Sequence, residues 1–257
     1  MNSRRLLSEI RFSINFKIIT MILLLVAGYQ ISLYLEPEIE GFLLSDIFNL
    51  LGPLIVSLAG FFVSVKYGFS NIFGKSYFAL GLGMIFLFLG DFTYMYYEYV
   101  LETDPYPSFA DIFYFLTYPL LIFHLQKNIR FFKGKLNIWA QILLAAIPTI
   151  IVSSYVFFSL NELDVIVFDF VYGLIFVLAS SITLSLAVLG GIIFRQNILM
   201  TTWILLAFSI LLMTIADVWY YHIEIFGMYD YTNPINSLWI ASYCFMAYAL
   251  FKHLKAI

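Results

Sequence analysis

Long apolar runs alternate with short polar connections along the whole chain, and this pattern predicts membrane-spanning helices. Several runs exceed the roughly 18 residues that mark a helix able to cross a bilayer. Lipid offers the backbone no hydrogen-bond partner, so a span must be a helix or part of a closed barrel, and continuous apolar runs exclude the alternation of a barrel strand. The predicted spans are 18–36, 47–65, 77–100, 109–126, 137–159, 165–193, 198–222 and 235–251.

Composition supports the same class, an all-α integral membrane protein of about eight transmembrane helices. Hydrophobic residues make up 63% of the 257 residues and charged residues 11%. A soluble domain carries about 25% charged residues, so the lipid bilayer is the expected partner for most of this surface. The first apolar segment is long for a signal-peptide core and has no clear small-residue cleavage site, so we expect it to be retained.

Positive charge is confined to one side of the predicted spans. The 13 Lys and Arg residues are Arg4, Arg5, Arg11, Lys17, Lys66, Lys75, Lys127, Arg130, Lys133, Lys135, Arg195, Lys252 and Lys255. None lies in the alternate connections 37–46, 101–108, 160–164 and 223–234. Because cytoplasmic loops carry the excess of Lys and Arg, the pattern predicts a multi-pass protein of the cell membrane with both termini in the cytoplasm.

The two halves of the chain share a polar pattern. DFTYMYYE at 91–98 resembles DVWYYHIE at 217–224. The matching pairs are Asp91 with Asp217, Tyr94 with Tyr220, and Glu98 with Glu224. The segments that follow place Asp111, Tyr114 and Tyr118 opposite Asn236, Trp239 and Tyr243. We therefore predict a parallel four-plus-four duplication, with one four-helix repeat at 1–130 and the other at 131–257 in a single membrane unit.

Several carboxylates lie within or at the ends of the predicted spans, all in the half away from the Lys and Arg residues. Ionisable residues in a span are costly and by default face the bundle interior or water. Spacings of i, i+3 and i+7 put each Asp and its tyrosines on one helix face, where a phenol can donate to a carboxylate. The predicted ligand-binding residues are Asp91, Tyr94, Asp111, Tyr114, Tyr118, Asp169, Asp217 and Tyr220. Together they predict an acidic, tyrosine-lined pocket open to the outside.

Structural roles for these residues remain open at this level. Ser108 is placed to cap a helix, and Asp111 to favour its N-terminal dipole. Tyr–Asp hydrogen bonds also serve simply to hold helices together. The histidines are scattered without metal-ligand spacing, so neither a metal nor another cofactor is predicted, and we expect His124 and His253 to be solvated at cytoplasmic ends. No set of residues for nucleophilic catalysis is recognisable in the sequence, so an enzyme is not predicted.

The stretch PYPSFADIFYFLTYPL at 105–120 resembles a P-x-P-S-x-A-D-x-x-Y-x-x-x-Y-P signature of multi-span sensor modules in bacterial and archaeal proteins. In those proteins the module is often fused to a histidine kinase or a diguanylate cyclase domain. The match covers Asp111, Tyr114 and Tyr118, with Asp91 and Tyr94 upstream. The resemblance implies a sensor role. No output domain is recognisable here, so the expected output is through a cytoplasmic or membrane signalling partner.

The leading hypothesis is therefore a membrane sensor-like module whose outward pocket binds a cation, protons or a small ligand. A secondary transporter is the first alternative, because internal duplication and membrane-embedded acids are typical of transporters. A structural scaffold, in which the polar residues only join helices, is the second. No nucleic-acid partner is predicted.

Overall fold

The computed structural model describes residues 14–35, 44–163 and 166–256, and all regular structure in these ranges is helical. Its helices are α1 (Phe16–Leu35), α2 (Leu44–Tyr67), α3 (Ile72–Tyr99), α4 (Ala110–Phe132), α5 (Ile138–Glu162), α6 (Phe168–Phe194), α7 (Met200–Glu224) and α8 (Ile235–Ala256). Each coincides with one predicted span. Arg4, Arg5, Arg11 and most of the predicted outer connection 37–46 lie outside the described residues.

The outside of the bundle is apolar. Leu24, Phe62, Ile150 and Phe168 are each more than 60% exposed, and these side chains lie on four different helices. Large apolar side chains pointing outward on every side suit contact with lipid rather than water. Of the eight helices, α1, α2, α3, α5, α6 and α7 are long and apolar enough to cross a membrane. The multi-pass membrane class is thus supported by length and composition.

Helices α4 and α8 are less apolar, and both extend beyond their predicted spans. Helix α4 continues through Lys127 and Arg130 to Phe132, and α8 continues through Lys252 to Ala256. Hydropathy marks where charge begins, whereas backbone hydrogen bonding carries a helix past that point. The polar residues of α4 and α8 are largely buried, including Asn128 and Ser242. These helices therefore turn their polar faces into the bundle.

Neighbouring helices pack in a reciprocal pattern. Helices α2, α3 and α4 pack in sequence, as do α6, α7 and α8. Helix α4 also packs on α6, and α8 packs on α2, so each set of three is joined to the other at two places. Helix α1 packs against α8, while α5 packs mainly against α6. The interior that results is enclosed by α2, α3, α4, α6, α7 and α8.

The two ends of the bundle differ in charge. We call the end at which α2, α4, α6 and α8 finish the basic end, because Lys66, Arg130, Arg195 and Lys255 lie in or next to those last turns. There the Lys66 Nζ donates to the Leu254 carbonyl oxygen at 3.2 Å. The opposite end, with the connections 100–109 and 225–234, is the acidic end.

Candidate functional site

A cavity of about 580 Å³ opens at the acidic end, between helices of both halves of the chain. Tyrosine is its commonest lining residue. Its carboxylates are Asp46, Asp91, Glu98, Asp111, Asp217 and Asp230. Within the described part of the chain no Lys, Arg or His lines this space. The cavity therefore concentrates negative charge with no positive side chain to balance it.

The structure brings seven of the eight predicted ligand-binding residues to this one cavity. They are Asp91, Tyr94, Asp111, Tyr114, Tyr118, Asp217 and Tyr220. The eighth, Asp169, is not among the lining residues; it lies near Tyr106, which does line the cavity.

Helices α3 and α7 supply the inner wall. Asp91, Tyr94 and Glu98 follow one another at i, i+3 and i+7 on α3, so they lie on one face above Leu87. On α7, Met213 lies one turn below Asp217 in the same way. Leu87 and Met213 form the apolar floor, so the two aspartates are the deepest charged groups in the cavity.

Asp217 has a hydrogen-bond donor for each carboxylate oxygen. The Tyr118 hydroxyl donates to its Oδ2 at 2.7 Å, and the Trp239 indole Nε1–H donates to its Oδ1 at 3.1 Å. The residue is only 5% exposed. Tyr118 comes from α4 and Trp239 from α8, so this carboxylate ties together helices of both halves.

Asp91 is held on one side only. The Tyr114 hydroxyl donates to its Oδ1 at 2.9 Å. Its Oδ2 is buried and has no hydrogen-bond partner within the described residues. A carboxylate oxygen there lacks a donor, and a protonated carboxyl would lack an acceptor. Asp91 is thus the unsatisfied acid of the cavity.

Gly90 explains how Tyr114 reaches Asp91. A Cβ atom at position 90 would overlap the Tyr114 ring. The glycine lets the ring lie flat against α3 and places its hydroxyl beside the next residue, Asp91. Gly90 therefore leaves the groove in which the Tyr114 ring lies, and Asp91 supplies the carboxylate to which its hydroxyl donates.

The start of α4 forms part of the cavity rim. The Ser108 Oγ accepts a hydrogen bond from the Ala110 N–H at 3.2 Å, and the Asp111 Oδ2 accepts one from the Ser108 N–H at 2.7 Å. This reciprocal arrangement is a helix-capping pattern. Asp111 thus has the structural role that the sequence leaves open, and it also lines the cavity.

The connections 100–109 and 225–234 complete the rim. Burial raises the pKa of the Tyr106 phenol above its ordinary value, and the Asp169 and Glu224 carboxylates raise it further, so this residue stays neutral. At the tip of the second connection, hydrogen bonds from Thr232 lower the pKa of the exposed Asp230. Asp230 accordingly remains negative at the mouth of the cavity.

Aromatic rings pack closely along the α7 and α8 side. The Tyr220 ring centroid is 5.0 Å from that of Tyr229 and 5.5 Å from that of Trp239, and both contacts are edge-to-face. The Tyr229 hydroxyl donates to the Asn236 Oδ1 at 2.9 Å. Hydrogen bonding and ring packing therefore hold this wall in place.

The expectation that His124 and His253 are solvated is wrong. Both are fully buried near the basic end. Tyr67 and Tyr77 hydroxyls lie 2.9 and 3.0 Å from the two ring nitrogens of His253. The prediction fails because the nearby Lys127 and Lys252 indicate a solvent-exposed position, whereas the histidines face the interior.

Helical spacing was the signal that could have placed these histidines correctly. His124 is three residues beyond the buried Leu121, and His253 is three beyond the buried Leu250. Each therefore continues the interior stripe of its helix. The Nδ1 of His124 lies 3.1 Å from the Ser76 carbonyl oxygen and 2.9 Å from the Ser76 hydroxyl, so Ser76 of α3 holds this ring in the interior.

Comparison of the chain with protein-family models, with curated proteins and with solved structures gives no match.

Proposed function

We propose that this protein is a membrane sensor-like module that binds a cation in an outward-facing cavity. The observation that carries the proposal is the cavity at the acidic end, which carboxylates from both halves line without a Lys, Arg or His among the described residues. A cleft lined by one sign of charge and enclosed by low-dielectric walls attracts the opposite charge. A cation is the ligand that this arrangement favours.

The orientation follows from the distribution of charge. The described Lys and Arg of the helix ends lie at the basic end, and in the sequence all Lys and Arg fall on the same side of every predicted span, which favours a cytoplasmic position for that end and for both termini. The cavity then opens to the exterior of the cell membrane, where a sensor or receptor meets its ligand.

An internal duplication accounts for the symmetry of the site. Two features support it: α4 packs on α6 as α8 packs on α2, and Tyr114 donates to Asp91 as Trp239 donates to Asp217. The sequence alignment pairs these same residues. A duplicated ancestor would place two equivalent acids on either side of one central space.

The sensor role rests on the resemblance of residues 105–120 to the signature of membrane sensor modules. The signature residues Asp111, Tyr114 and Tyr118 all line the cavity, which supports a link between that signature and ligand binding. Occupation of the cavity would change how α4 and α8 pack, and both helices run on to the basic end, where a signalling partner would bind.

A transporter is the second candidate. The observation that favours it is the buried polar network near the basic end, which includes His124, Asn128 and His253. A transported cation needs polar groups on both sides of the bilayer centre, and this network supplies them in the half nearer the basic end.

Cation binding and uptake separate the candidates. Full-length protein in lipid nanodiscs is melted in Na⁺, K⁺, Ca²⁺ or small alkylammonium salts at constant ionic strength. We expect one cation to raise the melting temperature, and Asp91→Asn to remove that shift. Glu162→Gln is the matched control, because it removes the same charge from an exposed position at the end of α5 that does not line the cavity.

Cation uptake is measured with the same protein reconstituted into proteoliposomes. Binding without uptake supports the sensor-like module, and uptake that Asp91→Asn abolishes supports the transporter. If no cation changes the melting temperature or enters the vesicles, both functions are wrong and the scaffold remains.

A further inference from the structure

We infer that the ligand of the cavity is a small organic ammonium ion bearing at least one N–H and an apolar substituent, and that it pairs with Asp91. This inference rests on the proposed cation-binding function and names the chemical class of the cation. Three features of the cavity support it: the vacant Oδ2 of Asp91, the aromatic wall, and a set of side chains that, within the described residues, is not arranged to hold a metal ion.

The first feature distinguishes the two deep aspartates. Asp217 already accepts hydrogen bonds from Tyr118 and Trp239, so a cation that approached it would have to displace or share them. Asp91 has only the hydrogen bond from Tyr114, and its Oδ2 is buried without a partner within the described residues. An ammonium N–H at Asp91 would supply the missing donor through a charge-assisted hydrogen bond.

The second feature is the aromatic wall of the cavity that Asp91 also lines. Tyr220, with Tyr229 and Trp239 packed edge-to-face against it, borders the same cavity as Asp91. Aromatic faces attract cations within about 6 Å of the ring centroid and also accept the apolar groups attached to an ammonium. A bare inorganic ion would use only the charge and none of this surface.

The third feature argues against a metal ion. In the parts of the chain that the structure describes, no three His, Cys, Asp or Glu side chains converge in an arrangement that could hold one. Ca²⁺ takes six to eight oxygen ligands and Mg²⁺ a near-octahedral set. The cavity, at about 580 Å³, is also of the size that holds a small organic molecule.

Three probes of similar size test the ligand class on the unaltered protein: benzylammonium, benzyltrimethylammonium and benzyl alcohol. Each is titrated calorimetrically into full-length protein in nanodiscs. We expect benzylammonium to bind at least about tenfold more tightly than either analogue, since only it combines charge with an N–H donor. Equal or tighter binding of the trimethyl analogue overturns the pairing with Asp91, and equal binding of the alcohol overturns the need for charge.

Variants then locate the anchor. Asp91→Asn is expected to weaken benzylammonium binding by at least about tenfold, the loss of one charge-assisted hydrogen bond, while Glu162→Gln leaves it unchanged. Unchanged affinity in a folded Asp91→Asn protein overturns the assignment. If that variant does not fold, the three-probe comparison decides the question by itself.

Titration with inorganic ions distinguishes failure of this inference from failure of the proposed cation-binding function. Na⁺ and Ca²⁺ are titrated into the same preparation, and benzylammonium is added as a competitor. Saturable binding of an inorganic ion that benzylammonium does not displace overturns the ligand class but leaves the cation-binding function standing. Absence of binding by every cation overturns both.

Discussion

Asp91 and Asp217 occupy matching positions on α3 and α7, yet their surroundings differ. Asp217 receives one donor on each oxygen, from Tyr118 of α4 and Trp239 of α8. Asp91 receives one donor, from Tyr114 of α4, and its other oxygen is buried without a partner within the described residues. The same residue type at the same helical position is thus a joint between helices in one half and an open acceptor in the other.

The difference arises from a single tyrosine in each half. Tyr118 reaches across to Asp217, whereas Tyr243, which the sequence aligns with Tyr118, forms no hydrogen bond with the Asp91 Oδ2. Tyr243 instead packs beside Gly52 of α2, where a Cβ atom would overlap its ring. Tyr118 therefore completes the hydrogen bonding of Asp217, whereas Tyr243 leaves the Oδ2 of Asp91 available to a ligand.

The largest expected effect separates the two aspartates directly. Asp217→Asn places an amide NH₂ opposite one of two donors, so at least one donor loses its acceptor, at a cost of about 1–3 kcal/mol. Asp91→Asn keeps the acceptor for Tyr114 and removes a buried charge that lacks a full set of partners, so the ligand-free protein should lose little stability. Thermal unfolding in nanodiscs, with Glu162→Gln as the charge-matched control, measures both.

A reversed result would break the comparison. If Asp91→Asn lowered the melting temperature and Asp217→Asn did not, Asp91 would be the joint between helices. The unpaired oxygen would then have no functional meaning.

The helical pattern predicts part of this arrangement and not the rest. Spacings of i, i+3 and i+7 place Asp91, Tyr94 and Glu98 on one face, and the shared positions of Asp217 and Tyr220 suggest a second such face. Convergence on one cavity is also expected, because buried acids avoid lipid. Which acid keeps a free oxygen depends on whether one tyrosine hydroxyl comes within about 3 Å, a distance set by helix rotation and neighbouring side-chain size.

Positions near charged residues show the same limit. Hydropathy ends the fourth and eighth spans just before Lys127 and Lys252, and the nearby His124 and His253 are therefore wrongly predicted to be solvated. The interior stripe of each helix continues past those lysines, because helix periodicity rather than local charge decides which side chains face the core. Asp169 is the converse case: its polar character placed it with the site, but the packing of α6 leaves it outside the cavity lining.

The next effect concerns the groove that seats Tyr114. Gly90→Ala introduces a methyl group that overlaps the Tyr114 ring, so the ring must move and its hydroxyl must leave Asp91. Overpacking of this kind costs about 1–3 kcal/mol, and we expect a lower melting temperature together with weaker cation binding.

Gly191→Ala on α6 is the matched control for that prediction. Its added Cβ would meet its nearest neighbours, Ala207 and the Trp203 backbone, at an ordinary 3.9 Å, so binding should be unchanged and stability should stay the same or rise slightly through the higher helix propensity of alanine. If Gly90→Ala behaved like Gly191→Ala, the seating of Tyr114 against α3 would not be needed to hold Asp91.

The smallest effect compares the two aligned tyrosines, and it tests the origin of the asymmetry. Tyr118→Phe removes the hydroxyl that donates to the Asp217 Oδ2, and the free energy of unfolding should fall by about 0.5–1.5 kcal/mol, because water in the cavity can replace the lost donor. Tyr243→Phe removes a hydroxyl that makes no hydrogen bond to Asp91, so stability should stay within the error of the measurement. The two substitutions are chemically identical and are both made on buried tyrosines that line the same cavity, so each controls for the other. Equal losses would mean that Tyr243 also bonds to its aspartate in the membrane, and Asp91 would then be as fully satisfied as Asp217.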